Sequence, residues 1–300
     1  MDYVYPRSVE EAAEYLEAHK GRARIIAGGT DLLPDIRHGK LSPDCLVDIT
    51  RVPGLDRIVV ADDFVTLGAA VTFAAIREDR FLQERVHALV EAAASIGGPP
   101  IQQVATWAGN IVQAMPAGDG AIVAVALEAE ACIVDGQSSR WRPVETLFQG
   151  PGVCAVDPTR EIITAVRFPH PASGIDGRRV GTAWQRVGRR AALVLPIVNC
   201  ATVVCLDRLR ESQLGRITRV TLALGPAGPT PRRMREAEAY LEGRMPTDET
   251  IARAGRLAVR ESNPRTSVLR ASREYRLEII PVLVRQALIA ALDRADSANS

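Results

Sequence analysis

The sequence predicts an α+β protein made of a small βαβ-type unit, a second α/β piece and a separate C-terminal unit of strands followed by helices. Two observations carry this. Residues 1–50 alternate a capped helix with two short β-branched strands. From about residue 180 three strands come in succession and three helical segments follow, the ordering expected of a sheet with its helices segregated.

Taken in order, Ser8 opens "SVEE", a capping box with Glu11, and Ala12, Tyr15 and Leu16 recur at helical spacing. A strand over 23–27 breaks on Gly28-Gly29, and "DCLVDIT" (44–50) reads as the next strand. "DFVTLGAAVT" is a strand, and 80–95 is an Ala-rich helix stopped by "SIGGPP". The segment from 104 to 118 is turn-rich and apolar without a clean period; from Asp119 it turns helical, then a strand runs into Asp135-Gly136. "EIITAVRFPHP" is a strand closed by prolines, and "PHPASGIDGRR" (169–179) is the best linker candidate. The expected domains are therefore 1–175, with subdomains of about 1–55 and 56–175, and 176–300. In the second, "GTAWQRVG", "PIVNCATVVCL" and "RITRVTLALG" are strands, and helices are expected near 231–242, 248–262 and 271–294. In the last of these Ile279, Leu283, Ala287 and Leu288 repeat at three- to four-residue spacing, which is core packing.

Composition narrows the function classes. The 300 residues are 47% apolar and 24% charged, with net charge +1, so no global field collects nucleic acid or anionic membrane. Of 37 basic residues only Lys20 and Lys40 are lysine, and the arginines are scattered. The N-terminus lacks a basic-then-apolar signal pattern and no apolar run approaches a membrane span, which points to the cytoplasm. The five cysteines form no C-x-x-C and have no nearby His, so reduced, buried thiols are expected and no metal or cluster in this chain. His19, His38, His87 and His170 are dispersed and have no partner motif. G-x-G-x-x-G, the P-loop, G-x-S-x-G and H-E-x-x-H are all missing.

What remains are "AGGTD" at 27–31, and "ATWAGN" at 105–110 followed by "PAGDG" at 116–120. A pyrophosphate can be bound without Lys or Arg if several backbone N–H groups turn toward one point, which glycine permits. Thr30, Thr106 and Asn110 are short donors for phosphate oxygens. Asp31 and Asp119 would repel phosphate, and make sense as acceptors for ribose or ribityl hydroxyls or as braces of the loops. Spacing alone favours reading both stretches as ordinary strand-to-helix turns, since glycine turns are common.

"IIAGGTDLLPDIRHGK", "QVATWAGNIVQAMPAGDGAIVAVALEAEACI", "EIITAVRFP", "WQRVGRR" and "ASREYRLEIIPVLVRQAL", in that order, resemble the FAD-binding medium subunit of the molybdenum hydroxylases, the family of xanthine dehydrogenase and carbon monoxide dehydrogenase. The resemblance implies a vanillyl-alcohol-oxidase (PCMH)-type FAD-binding domain in two α/β subdomains. A C-terminal domain with a small antiparallel sheet and a helical bundle would follow. It implies FAD in this chain, with a molybdenum cofactor in a large molybdopterin-binding subunit and [2Fe–2S] clusters in a small one, assembled as a dimer of heterotrimers. Electrons would pass from molybdenum through the clusters to FAD and on to an external acceptor, so no catalytic base is expected here. By motif position Ala27, Gly28, Gly29, Thr30, Asp31 and Leu32 would wrap the diphosphate, and Thr106, Gly109 and Asn110 would close from the other side. Asp119 would bind a flavin hydroxyl and Ile163 would pack near the adenine or the ring edge. Gln185 would sit where relatives often carry a Lys near the flavin. The sequence departs from the pattern at Trp107, Ala108, Met115 and Gln185. Trp107 or Trp184 is a candidate to stack on the flavin ring, with core burial as the commoner fate. Two alternatives stay open: an independent FAD-dependent reductase of the UDP-N-acetylenolpyruvylglucosamine reductase type, and a flavin-free scaffold subunit.

Overall fold

The computed structural model describes residues 1–136, 138–171, 179–190, 193–207 and 215–297. Its first layer is a three-stranded parallel sheet. Strand β1 (Asp2–Val4) and β2 (Ala23–Ile26) flank β3 (Cys45–Asp48), with α1 (Val9–Ala18) and α2 (Leu32–Arg37) in the connections. Ser8 caps α1, its Oγ accepting from the Glu11 N–H at 3.2 Å, as the capping box requires. β3 is buried along its whole length because it is central.

A five-stranded antiparallel sheet follows. It runs β4 (Ile58–Val60), β5 (Phe64–Gly68), β10 (Glu161–Pro169), β6 (Glu130–Asp135) and β7 (Ser138–Pro143) from edge to edge. β5 alternates inward Val65 and Leu67 with half-buried neighbours, the pattern of a strand with one dry face. Between β5 and β6 lie α3 (Phe73–Glu78), α4 (Arg80–Arg85), α5 (His87–Ser95), α6 (Pro99–Gln102), α7 (Trp107–Val112) and α8 (Asp119–Ala126). The single helix expected over 80–95 is in fact two, broken at Val86 with φ −130° and ψ 54°. The turn-rich stretch after residue 104 also holds a helix, α7, capped by Thr106, too short for its period to show. A small hairpin of β8 (Phe148–Gly150) and β9 (Val153–Cys154) precedes β10.

The last unit is an antiparallel sheet of β11 (Arg179–Val187), β12 (Val198–Leu206), β13 (Ile217–Gly225) and β14 (Arg232–Arg233), then α9 (Arg235–Leu241), α10 (Asp248–Glu261) and α11 (Arg273–Ser297). The linker expected over 169–179, with the boundary at 175/176, falls largely outside the described residues. This sheet is covered on both faces. Ala183, Cys200, Leu222 and Leu224 join a core with α9, α10 and α11, whereas Trp184, Ala201 and Ala223 join the core of the first 170 residues. β12 and β13 are accordingly buried almost throughout, unlike an antiparallel sheet with one wet face. Two ion-pair networks cross the same seam. Glu91 of α5 pairs with Arg294 of α11 and accepts the Trp184 N–H at 3.0 Å; Glu128 pairs with Arg233 at 2.7 Å.

The five cysteines are free thiols, with Cys45 and Cys200 buried. Among the described residues no helix is long and apolar enough to cross a membrane, and no His, Cys, Asp or Glu group could hold a metal ion.

Candidate functional site

A cavity of about 780 Å³ opens between the parallel sheet, the helices of the second piece and the β11–β12 connection. That lies in the range of cofactor pockets. Ala27, Gly28, Gly29, Thr30, Asp31, Leu32, Thr106, Gly109, Asn110, Asp119 and Ile163 all line it. Two stretches some eighty residues apart in sequence thus form opposite walls of one space, as the parallel sheet brings the end of β2 against the approach to α7.

The loop after β2 has the right character for an anion. Gly29 has φ +66°, a conformation that suits glycine. Among the described residues, none of the backbone N–H groups of Gly28, Gly29, Thr30 and Asp31 donates to another protein group. Four consecutive donors are left facing an open cavity. Gly28 serves a different end. A Cβ there would lie 2.1 Å from the Val104 carbonyl oxygen, so its bare backbone lets the two loops touch.

The side chains on the far wall are already engaged. Thr106 Oγ1 caps α7 by accepting the Gly109 N–H at 3.1 Å, and a Cβ on Gly109 would crowd that oxygen. Asn110 Oδ1 accepts the Ala121 N–H at 3.0 Å, tying α7 to α8. Ala108 is helical and faces the cavity without strain. Trp107 is core, 1% exposed, with its indole N–H on the Gly120 carbonyl at 2.9 Å and its ring edge-on to Phe168. It stacks on nothing in the cavity. Trp184 is likewise buried against the first core.

The charges lining the cavity are mostly negative. Asp31, Asp35, Asp119 and Glu161 face one guanidinium, Arg24, which donates to the Gly21 and Ala23 carbonyls. A diphosphate held here would rest on backbone N–H groups. Desolvation, and then the Asp35 carboxylate, raise the Asp31 carboxyl above its ordinary value, and a bond from Thr30 opposes this.

Asp119, the first residue of α8, is 5% exposed. Its Oδ1 accepts from Asn199 Nδ2 at 2.5 Å and its Oδ2 from Ser95 Oγ at 3.1 Å, with Arg186 Nη1 at 3.5 Å. Burial pushes the carboxyl up to about 6, while Asn199, Arg186 and Ser95 pull it down. Asn199 and Arg186 both come from the C-terminal sheet.

Gln185 is the exception among the expected site residues, and does not line the cavity. Along β11, Gly181 and Ala183 face α11, whereas Thr182 accepts the Ala88 N–H of α5 and Trp184 enters the first core. By the two-residue period Gln185 shares the α11 face, and the neighbouring Arg186 lies on the opposite face, within 3.5 Å of Asp119. Sequence reasoning also missed Ser95, Gly97, Asn199 and residues 193–195, which line or brace the cavity from distant loops and carry no local motif.

Comparison with known proteins decides the family. The FAD binding domain in molybdopterin dehydrogenase matches residues 1–171, and the CO dehydrogenase flavoprotein C-terminal domain matches 183–291. The chain belongs to the FAD-binding medium subunits of the molybdenum hydroxylases. It is 31% identical to the xanthine dehydrogenase FAD-binding subunit of Escherichia coli over 93% of this chain and 92% of that one. It is 27% identical to the carbon monoxide dehydrogenase medium chain of Hydrogenophaga pseudoflava over 98% of each. Among solved structures, carbon monoxide dehydrogenase from Hydrogenophaga pseudoflava superposes with a TM-score of 0.87 at 28% identity, covering 98% of both chains. This medium subunit is therefore an oxidoreductase flavoprotein of the xanthine and carbon monoxide dehydrogenase type. Its cavity fits the cofactor in kind: a loop of free N–H donors at one wall and apolar residues such as Ile25, Ile163 and Leu195 at others.

Proposed function

We propose that this medium subunit relays electrons inside a heterotrimer, with a large molybdopterin-binding subunit and a small [2Fe–2S] subunit, and that this heterotrimer is the unit of a dimer of heterotrimers. The assignment of 1–175 to FAD binding and 176–300 to a second domain belongs to the same reading. FAD, when bound, supplies the redox chemistry between the partner's clusters and an external acceptor. The chain's own residues bind and orient it. Gly28, Gly29, Thr30 and Asp31 offer backbone N–H groups to the diphosphate. Thr106 and Asn110 stiffen the opposite wall by capping α7 and tying it to α8, with Gly109 leaving room beside the cap. Ile163 supplies apolar surface on β10, and residues 193–195 help exclude water.

The observation that carries this reading is the row of N–H groups without a protein acceptor on one wall of a cavity between the parallel sheet, the helices of the second piece and the β11–β12 connection. It is tested by the absorption spectrum of the purified chain, alone and after FAD is added. Flavin bands near ~370 and ~450 nm, with the heat-released compound identified as FAD, are expected. A folded chain that stays colourless with FAD, alone and with its partner subunits, would overturn it.

A further inference from the structure

The cavity is completed by the C-terminal unit through one cluster of polar contacts. Asp119, on the cavity wall, is gripped from β12 by Asn199 and from β11 by Arg186. The same Arg186 Nη1 also reaches the Val194 carbonyl at 3.3 Å. Leu193, Val194 and Leu195 all line the cavity, although they belong to the β11–β12 connection. Leu193 holds a left-handed φ of +54° and is 61% exposed. A non-glycine residue stays in that conformation only where its surroundings hold it. Arg190 donates to its carbonyl and Arg186 to the next one along.

Resting on the reading that this cavity takes FAD, we propose that Arg186 and Asn199 are positioning residues. Arg186, held by Asp119, clamps residues 193–195 over the cavity through the Val194 carbonyl, Asn199 fixes Asp119 for that contact, and together they set how fast the cofactor leaves. Neither needs to touch the cofactor. The charge on Asp119 controls the Arg186 side of the clamp, because a neutral carboxyl loses the attraction to a guanidinium that is itself largely buried. The other charged groups on the packed elements are occupied elsewhere: Glu91 with Arg294, Arg179 with Asp296, and Arg219 with Glu128. His87 on α5 feels Arg294 and Glu91 rather than Asp119, and Ser95 and Asn199 are neutral. Arg186 is thus the charged partner of Asp119 among the described residues.

The test uses the full chain loaded with FAD. Its release into excess buffer is followed by the rise in free-flavin fluorescence between pH 5 and 8. In the wild type, release should quicken as pH falls through about 6, where Asp119 takes up its proton. Arg186→Met should release FAD about tenfold faster at pH 7.5, the loss expected of one charge-assisted contact. It should also lose most of the acid acceleration, because protonating Asp119 no longer frees a guanidinium. Arg186→Lys should recover most of both effects. Asn199→Ser, which withdraws the other clamp, should also speed release, and serves if Arg186→Met fails to fold. Arg294→Met controls for general loosening of the seam: it should lower the melting temperature and leave the acid acceleration in place. An Arg186→Met protein that binds FAD and matches the wild type in rate and acid acceleration overturns the clamp alone. A wild-type chain that takes up no FAD overturns both the clamp and the functional reading beneath it.

Discussion

Single residues in this site have two duties that mutation can separate. Gly28 supplies one of the four N–H donors, yet a Cβ there would lie 2.1 Å from the Val104 carbonyl oxygen, so the position also serves the approach of the two loops. Gly28→Ala should therefore destabilise the FAD-free protein by about 1–3 kcal/mol, the usual cost of overpacking, as read by urea unfolding. Unchanged FAD-free stability would mean that the position serves the cofactor only. Asp119 permits a signed pH test. Burial lifts its carboxyl from 3.8 to about 6, so between those values the folded chain keeps a proton that the unfolded chain has lost. Its contribution to stability is greatest below about 4, falls as pH rises through that window and is constant above it. The change is roughly 3 kcal/mol at 1.36 kcal/mol per unit. The unfolding free energy of wild type minus that of Asp119→Asn should fall by that order between pH 4 and 7. A difference independent of pH would show that Asp119 titrates normally.

Elements meet here through small residues placed where backbones cross. A Cβ on Gly181 of β11 would lie 1.9 Å from the Ala291 carbonyl of α11, and one on Gly225 of β13 would meet Ile122 of α8 and the Pro116 carbonyl. The C-terminal sheet is thus pressed against helices on both faces at points that admit no side chain. Gly181→Val should separate α11 from β11 and lower the melting temperature markedly. Gly136→Ala, at a turn with open space around it, offers a comparison in which only the positive φ is strained. A Gly181→Val protein as stable as the wild type would mean that α11 docks elsewhere. At this scale the sequence reading was largely legible. The helix over 248–262 and the long strand at 161–169 carry clear periods and are found as α10 and β10. The edge strand β7, "SSRWRP", was not, because it is exposed and has no apolar alternation to read.

At the scale of the whole molecule, the cavity and the seam between the two halves are one structure. Glu91–Arg294, Glu128–Arg233 and Asp119–Asn199 all cross between residues of the first 170 and the C-terminal unit. Arg233, Asp119 and Asn199 are buried and Glu91, Arg294 and Glu128 are half-buried, and removing the partner of a buried charge leaves it uncompensated. Unfolding of the FAD-loaded chain should then be a single transition, with flavin fluorescence and far-UV circular dichroism changing together. Its midpoint should rise with free FAD concentration, as expected of a ligand that binds only the folded form. Loss of flavin well before loss of helix would show that the halves come apart first.

The sequence alone determined what is local or ordered along the chain. Helix caps and strand periods are written in neighbouring residues, and two glycine-bearing loops in a fixed order are specific enough to carry a family. Tertiary structure decided what depends on pairing across distance. The two-residue period of a strand makes Gln185 and Arg186 opposite in consequence, and only the packing of β11 between α11 and α5 says which one reaches Asp119 on the cavity wall. From sequence Asp119 reads as an acceptor for a ribose or ribityl hydroxyl or as a brace of its loop, and the partners it has in the fold, Ser95, Arg186 and Asn199, stand 24 to 80 residues away in the chain. No local pattern encodes such a meeting, since it follows from how two cores close on a shared sheet.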